Sequence, residues 1–187
     1  MDFATASKTW DTEEEGQSVT GCFWMEGDSL APPCQTDLEI VECILDLACP
    51  TSDSVVYDLG CGDGRICALA SKIYGCKSCG AEIEPHLVEK FRSNLLNEGD
   101  IVSNLVKVYE GDLRDIDLND ATIIIIYLLP ESIIEITPML VKALERGAVL
   151  VCNTWGPKIL NHIEKRTVGE NNNINLFKYT IESLPSK

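Results

Sequence analysis

Three glycines and two acids crowd into "VYDLGCGDGR", Val56 to Arg65, immediately after an apolar run. Gly60, Gly62 and Gly64 can take left-handed turns and let backbone come close to a ligand, and a helix starting after them offers free N–H groups to an anion. A dinucleotide loop spaces its glycines GxGxxG, whereas this one reads GxGxG and carries Asp58 and Asp63, acids that repel a pyrophosphate. The loop therefore suits a ligand with a cationic ammonium and no phosphate. The amino group of such a ligand can meet Asp58 or the neighbouring carbonyls, and its carboxylate can approach the loop amides and Arg65.

S-adenosylmethionine is such a ligand. Glu82 in "GAEIEP", 22 positions after Gly60, stands at the end of a predicted strand, where a carboxylate can accept both ribose hydroxyls, with Glu84 as its rival. Asp112 in "EGDL" stands where an acid could accept from the adenine amino group. Gly-Asp is also an ordinary strand terminator, so turn chemistry explains it equally well. The 2 histidines, His86 and His162, fall early in a helix and near the final hairpin, and neither is assigned proton transfer. Cys76 and Cys79 form a CxxC without further ligands, and are read as small fillers at a strand start, with no metal.

The elements that must position these residues alternate along the chain. Thr36 and Glu39 in "TDLEIVECILDLA" have capping-box spacing ahead of a helical apolar repeat. "SVVYDL" predicts a buried strand, "RICALASKIYG" a helix closed by Gly75, "KSCGAEIE" a second strand, and "PHLVEKFRSNLLNEG" a helix between Pro85 and Gly99. "NLVKVYEG" predicts a third strand and "ATIIIIYLL" a fourth, covered on both faces. "PESIIEITPMLVKALERG" predicts a helix interrupted near Pro138, and "AVLVCNTW" a fifth strand. "HIEKRTV" and "INLFKYTIES" flank "GENNN" as an antiparallel hairpin. The sum is an open α/β sheet, mostly parallel with an antiparallel C-terminal hairpin, and helices on both faces. Residues 1–33 lack sustained periodicity and read as an N-terminal segment, partly disordered or lid-like. Within it Phe23, Trp24 and Met25 are apolar enough to pack on the body or cover a pocket.

A length of 187 residues with 45% apolar content suits one domain, over residues 34–187. A formal charge of −15 argues against general nucleic-acid binding and favours a basic, lysine-containing protein partner by long-range steering. Apolar runs fall far short of the roughly 20 residues of a membrane span, and the acidic start is unlike a secretion signal or mitochondrial leader. The 9 cysteines then read as reduced thiols, and the expected setting is the cytosol or nucleus, without membrane contact, as a monomer.

"VYDLGCGDGR", "GAEIEP", "EGDL" and "YLLPE", in this order, resemble the class I S-adenosylmethionine-dependent methyltransferases, from about Thr36 to Glu182. More narrowly, "APPCQTDLEIVECILDLA" and "IIIIYLLPESIIEITPMLVKALERGAVLV" are similar to the small protein-lysine methyltransferases acting on the ATP synthase c-ring protein and adenine nucleotide translocase. These are distant relatives of the non-SET histone lysine methyltransferases. The chain lacks the Asn-Pro-Pro-aromatic signature of amide and base methylation after strand four, and the membrane-targeting segment of the mitochondrial lysine enzymes. The resemblance implies a Rossmann-like sheet and in-line methyl transfer from S-adenosyl-L-methionine. It implies cofactor contacts at Asp58, Gly60, Cys61, Gly62, Asp63, Gly64, Glu82, Ile83, Asp112, Leu113 and Tyr127. Tyr127, Leu128 and Trp155, on the catalytic edge, would form an apolar channel that keeps a lysine amine neutral, with Trp24 as a closing group. A small-molecule acceptor and a non-catalytic cofactor-binding partner protein are the competing readings, and a dehydrogenase a weaker one.

Overall fold

The computed structural model describes residues 35–185; the N-terminal segment with Phe23, Trp24 and Met25 lies outside them. Helix α1 (Leu38–Ala48) leads into β1 (Val55–Leu59), α2 (Arg65–Tyr74), β2 (Lys77–Glu82), α3 (Pro85–Glu98), the short α4 (Asp100–Ser103) and β3 (Val106–Glu110). A 3-10 turn (Leu113–Asp115), β4 (Ile123–Ile126), α5 (Pro130–Glu145), β5 (Val149–Asn153), β6 (Glu164–Val168) and β7 (Ile174–Tyr179) follow. The seven strands form one sheet in the order β3-β2-β1-β4-β5-β7-β6. The first five pair in parallel, and β7 runs antiparallel to both β5 and β6. The hairpin is thus threaded back, its second strand lying against β5 and its first at the edge.

Burial explains the layers. All four isoleucines of β4 are inaccessible because the sheet is covered on both sides. On one face Val56, Ile123, Ile125 and Val151 pack with Ile44 and Leu45 of α1 and Ile66 and Leu69 of α2. Phe91 and Leu95 of α3 and Val102 of α4 continue that layer over β3. On the other face Leu59, Ile124, Ile126 and Cys152 meet Ile133, Ile136 and Leu140 of α5. Parallel strands place all their carboxyl ends on one edge, where the loops after β1, β2, β3, β4 and β5 assemble.

Two local expectations are corrected. The Thr36–Glu39 capping box does not form: the N-cap of α1 is Asp37, which makes no side-chain cap, and the Thr36 carbonyl accepts from Arg65 Nη1 at 3.0 Å. Pro138 does not interrupt α5, which runs unbroken through it. Its ring is on the solvent face, as is Ile134, whose carbonyl loses the helical N–H that proline lacks, while the Thr137 hydroxyl donates to Ile133 O at 2.6 Å. Pro138→Ala should therefore stabilise the protein, by about 1 kcal/mol, by restoring one helical hydrogen bond on an exposed face. A urea midpoint unchanged or lowered would contradict this account of the helix.

Candidate functional site

The loop leaving β1 is built from the inside. Asp58, two residues before Gly60, is 3% exposed, and its Oδ2 has no hydrogen-bond partner among the described residues. Burial, reinforced by the nearby Glu82 and Asp63 charges, pushes its carboxyl up to about 8. Gly60 (φ +83°) turns the chain above Leu128; a β-carbon there would lie 3.1 Å from Leu128 Cδ2. Gly62 (φ +56°) faces open space.

The loop amides are spent internally. Gly60 N and Cys61 N donate to Ala81 O at 2.9 and 3.0 Å, Gly64 N donates to Cys61 O at 3.0 Å, and Gly62 N donates to Glu82 Oε2 at 2.8 Å. Those four amides are thus already partnered, and the buried Asp58 carboxyl stands beside them. Glu82, 8% exposed, binds the backbone on both oxygens: Oε1 accepts from Ile83 N and Glu84 N at 2.9 and 3.0 Å. A carboxylate has about four lone-pair sites, so three amides leave room for one further donor rather than two. Glu84, the rival, is 39% exposed by side chain and stands 3.9 Å from His86, outside this arrangement.

Several sequence-predicted residues are found in other company. Asp63 is buried and pinned by Arg65, with Nε to Oδ1 at 3.0 Å and Nη2 to Oδ2 at 2.8 Å, and by Gln35 Nε2 at 3.3 Å. Its charge is answered within the protein, and Arg65 reaches toward Thr36. Gly64 and Gly80 make room for Phe91: a β-carbon on Gly64 would enter the ring, and one on Gly80 would stand 2.6 Å from both Phe91 Cε1 and Cys61 Sγ. Cys61 is buried against Gly80. Asp112 caps the 3-10 turn, accepting from Arg114 N at 2.9 Å and from Arg114 Nη2 at 2.5 Å. That guanidinium holds its carboxyl below the usual carboxylate range, and Arg114 also reaches Glu135 of α5 at 3.0 Å.

Ile83 is half exposed at the same edge and Leu113 is buried. Tyr127 and Trp155 come together: their ring centroids are 6.3 Å apart at an interplanar angle of 22°, and Trp155 remains 39% exposed. His86 is exposed, and His162 lies against Phe177 at 5.2 Å and Tyr179 at 6.4 Å on the hairpin. Among the described residues no group of three or more metal-ligating side chains occurs, and Cys76 and Cys79 are buried. No helix of the described residues is long and apolar enough to cross a membrane.

A family model for the ANTKMT methyltransferase domain matches residues 58–160, more than half of the 187 residues, starting at Asp58 itself. A protein-lysine N-methyltransferase of Saccharolobus islandicus (strain REY15A) is 30% identical over 139 residues, covering 71% of this chain and 85% of the relative. The chain belongs to the ANTKMT methyltransferase domain family. A Homo sapiens lysine N-methyltransferase named for the C-subunit of ATP synthase is 32% identical over 98 residues, 52% of this chain and 41% of that protein. A solved RNA methyltransferase from Salinibacter ruber, in complex with S-adenosyl-L-homocysteine, superposes with a TM-score of 0.75 at 32% identity, covering 82% of this chain and 98% of that one.

This ANTKMT-domain protein is an S-adenosylmethionine-dependent methyltransferase with a Rossmann-like fold. Its orphaned Asp58 carboxyl oxygen and amide-depleted glycine loop fit a cofactor bearing an ammonium group. Sequence reading missed Phe91 behind the loop and the backbone-clamping use of Glu82, and it named Leu128 only as a channel residue, not as the side chain beneath Gly60. A leucine directly after Tyr127 gives no sign of which loop it supports, and Phe91 reads as any helical core position.

Proposed function

We propose that this methyltransferase acts on the ε-amine of lysine in a basic protein partner. The observation that carries the acceptor class is the 30% identity over 85% of the Saccharolobus protein-lysine N-methyltransferase. The Tyr127–Trp155 pair and the net charge of −15 support it, since aromatic faces attract an alkylammonium and an acidic surface attracts a basic segment. The likeness to the Salinibacter ruber RNA methyltransferase favours an RNA acceptor instead, and the charge opposes it.

When bound, S-adenosylmethionine supplies an activated sulfonium methyl for in-line displacement. Asp58 accepts from its ammonium, Glu82 takes one ribose hydroxyl with its remaining lone pair, and Ile83 and Leu113 give apolar surface beside the base. Gly60, Cys61, Gly62, Asp63 and Gly64 shape the cradle, through the backbone and through the packing just described. Asp112 accepts from an adenine amino group only by exchanging Arg114. Tyr127 and Trp155 orient the acceptor amine and exclude water, which keeps the amine neutral and nucleophilic.

Labelled S-adenosylmethionine, offered in parallel to a lysine-rich polypeptide, its N-acetylated counterpart and RNA, tests the acceptor. Label is expected on the first alone; label on RNA alone would replace the proposal with the other reading.

Cofactor binding should also be proton-linked. Near pH 7 the free protein holds Asp58 protonated, because its carboxyl titrates at about 8. Capture of an ammonium then expels about one proton, and affinity climbs from about pH 6 toward 8. Above that it declines as the ligand's own α-ammonium, ordinary pKa about 7.7–8.0, is lost. Calorimetry in buffers of different ionisation enthalpy reads the released proton directly; identical heats in all buffers would remove Asp58 from the ammonium site.

A further inference from the structure

Trp155 is delivered to the catalytic edge by a distorted piece of backbone. Thr154, the residue after β5, has φ +66°, a conformation that a β-branched side chain rarely takes. Trp155 N donates to Asn153 O at 2.8 Å across it, which makes residues 153–155 a γ-turn of the rare positive-φ kind. Strain of this sort persists only where neighbours over-determine it, and the neighbours are present. Thr154 N donates to Asn175 O at 2.7 Å, the Thr154 hydroxyl donates to Asn153 Oδ1 at 3.0 Å, and Asn153 itself is 2% exposed. On the far side Gly156 is pressed against the buried Tyr179 hydroxyl so closely that no β-carbon would fit. Trp155 thus stands between two immobilised residues and is turned onto Tyr127.

We infer that Thr154 is a positioning residue: its strained turn fixes the Trp155 indole against Tyr127, so that the aromatic wall is ready before the methyl acceptor arrives. A relaxed extended residue at 154 would carry the indole along the strand direction instead of across the edge. The inference rests on the proposed role of Trp155 as an acceptor-contacting residue, and its test separates the two.

Thr154→Gly relieves the strain, removes the hydroxyl that ties the turn to Asn153 Oδ1 and adds backbone freedom, so the turn loosens. In a background with Trp10 and Trp24 replaced by Phe, Trp155 is the sole remaining tryptophan of the 3, and there Thr154→Gly should raise the melting temperature by about 2–4 °C. Acrylamide quenching of Trp155 should increase at least about twofold as the indole leaves Tyr127. Affinity for S-adenosylhomocysteine should stay within about twofold, whereas KM for a lysine-rich polypeptide should rise about tenfold with kcat changed far less. Thr154→Asn, which tolerates positive φ and keeps a polar group beside Asn153, should restore quenching and KM to near the parent values. A melting temperature that falls, or quenching that does not change, overturns the positioning role whatever the acceptor is. If Trp155→Ala leaves KM for the polypeptide unaltered, the acceptor-contact reading fails. If Trp155→Ala raises KM and Thr154→Gly does not, the contact stands and the positioning role falls.

Discussion

Replacing Asp58 by asparagine will weaken S-adenosylmethionine at least about 100-fold while making the free protein more stable. Both effects come from one buried oxygen that has no partner among the described residues. In the free protein the carboxyl titrates at about 8, far above an unfolded aspartate. Between roughly pH 4 and 8 the unfolded chain has released this proton and the folded chain still binds it, so stability falls as pH rises through that window. The amide of the Asp58→Asn variant cannot ionise and escapes the penalty, so its advantage should grow with pH across this window, by at most about 1.4 kcal/mol per pH unit. Calorimetric titration and thermal melts at two pH values measure the two halves independently. Retained affinity would move the ammonium elsewhere, and a variant less stable at every pH would mean that Asp58 makes its structural contribution as a carboxylate.

Glu82→Ala should do the opposite to stability. Gly62, Ile83 and Glu84 all donate to this one carboxylate. Hydrogen bonds to charged groups are worth about 1.5–3 kcal/mol each, partly recovered here as water reaches the freed amides. A net loss of about 3–5 kcal/mol is expected, with S-adenosylhomocysteine binding lost beyond detection. The sequence alone suggests a purely ligand-binding acid whose removal leaves folding intact. Urea unfolding decides: a midpoint within error of the parent would show that the loop holds its shape without Glu82.

The contrast between these acids shows where sequence patterns carry information. The strands and the mostly parallel sheet were legible because "TIIIIYLL" and "SVVYDL" are apolar on both faces and are separated by helix-length repeats. The hairpin was legible, but its threading was not: nothing in "INLFKYTIES" distinguishes pairing with β5 from lying at the edge. Asp58 and Asp63 look alike in "DLGCGDG", yet one is unpartnered among the described residues and the other is pinned by Arg65. That difference depends on Gln35 and Thr36, which reach the loop only after the chain folds. Asp112 carried two readings, and its hydrogen bonds to Arg114 belong to the turn chemistry one. Thr154 had no sequence signal at all, since glycine or asparagine is the usual mark of a left-handed residue.

Gly64, Gly80 and Phe91 meet although 16 and 11 positions separate them in turn. Each glycine leaves the volume that the ring fills, so the three behave as one unit of inheritance. A methyl gained at Gly80 meets Phe91 and Cys61 alike and needs both to give way, whereas any side chain at Gly64 is strained by its φ of +80° in addition to meeting the ring. Relatives that differ here should differ at two or more of the three together, and directed evolution of this loop should proceed by paired changes at positions distant in sequence.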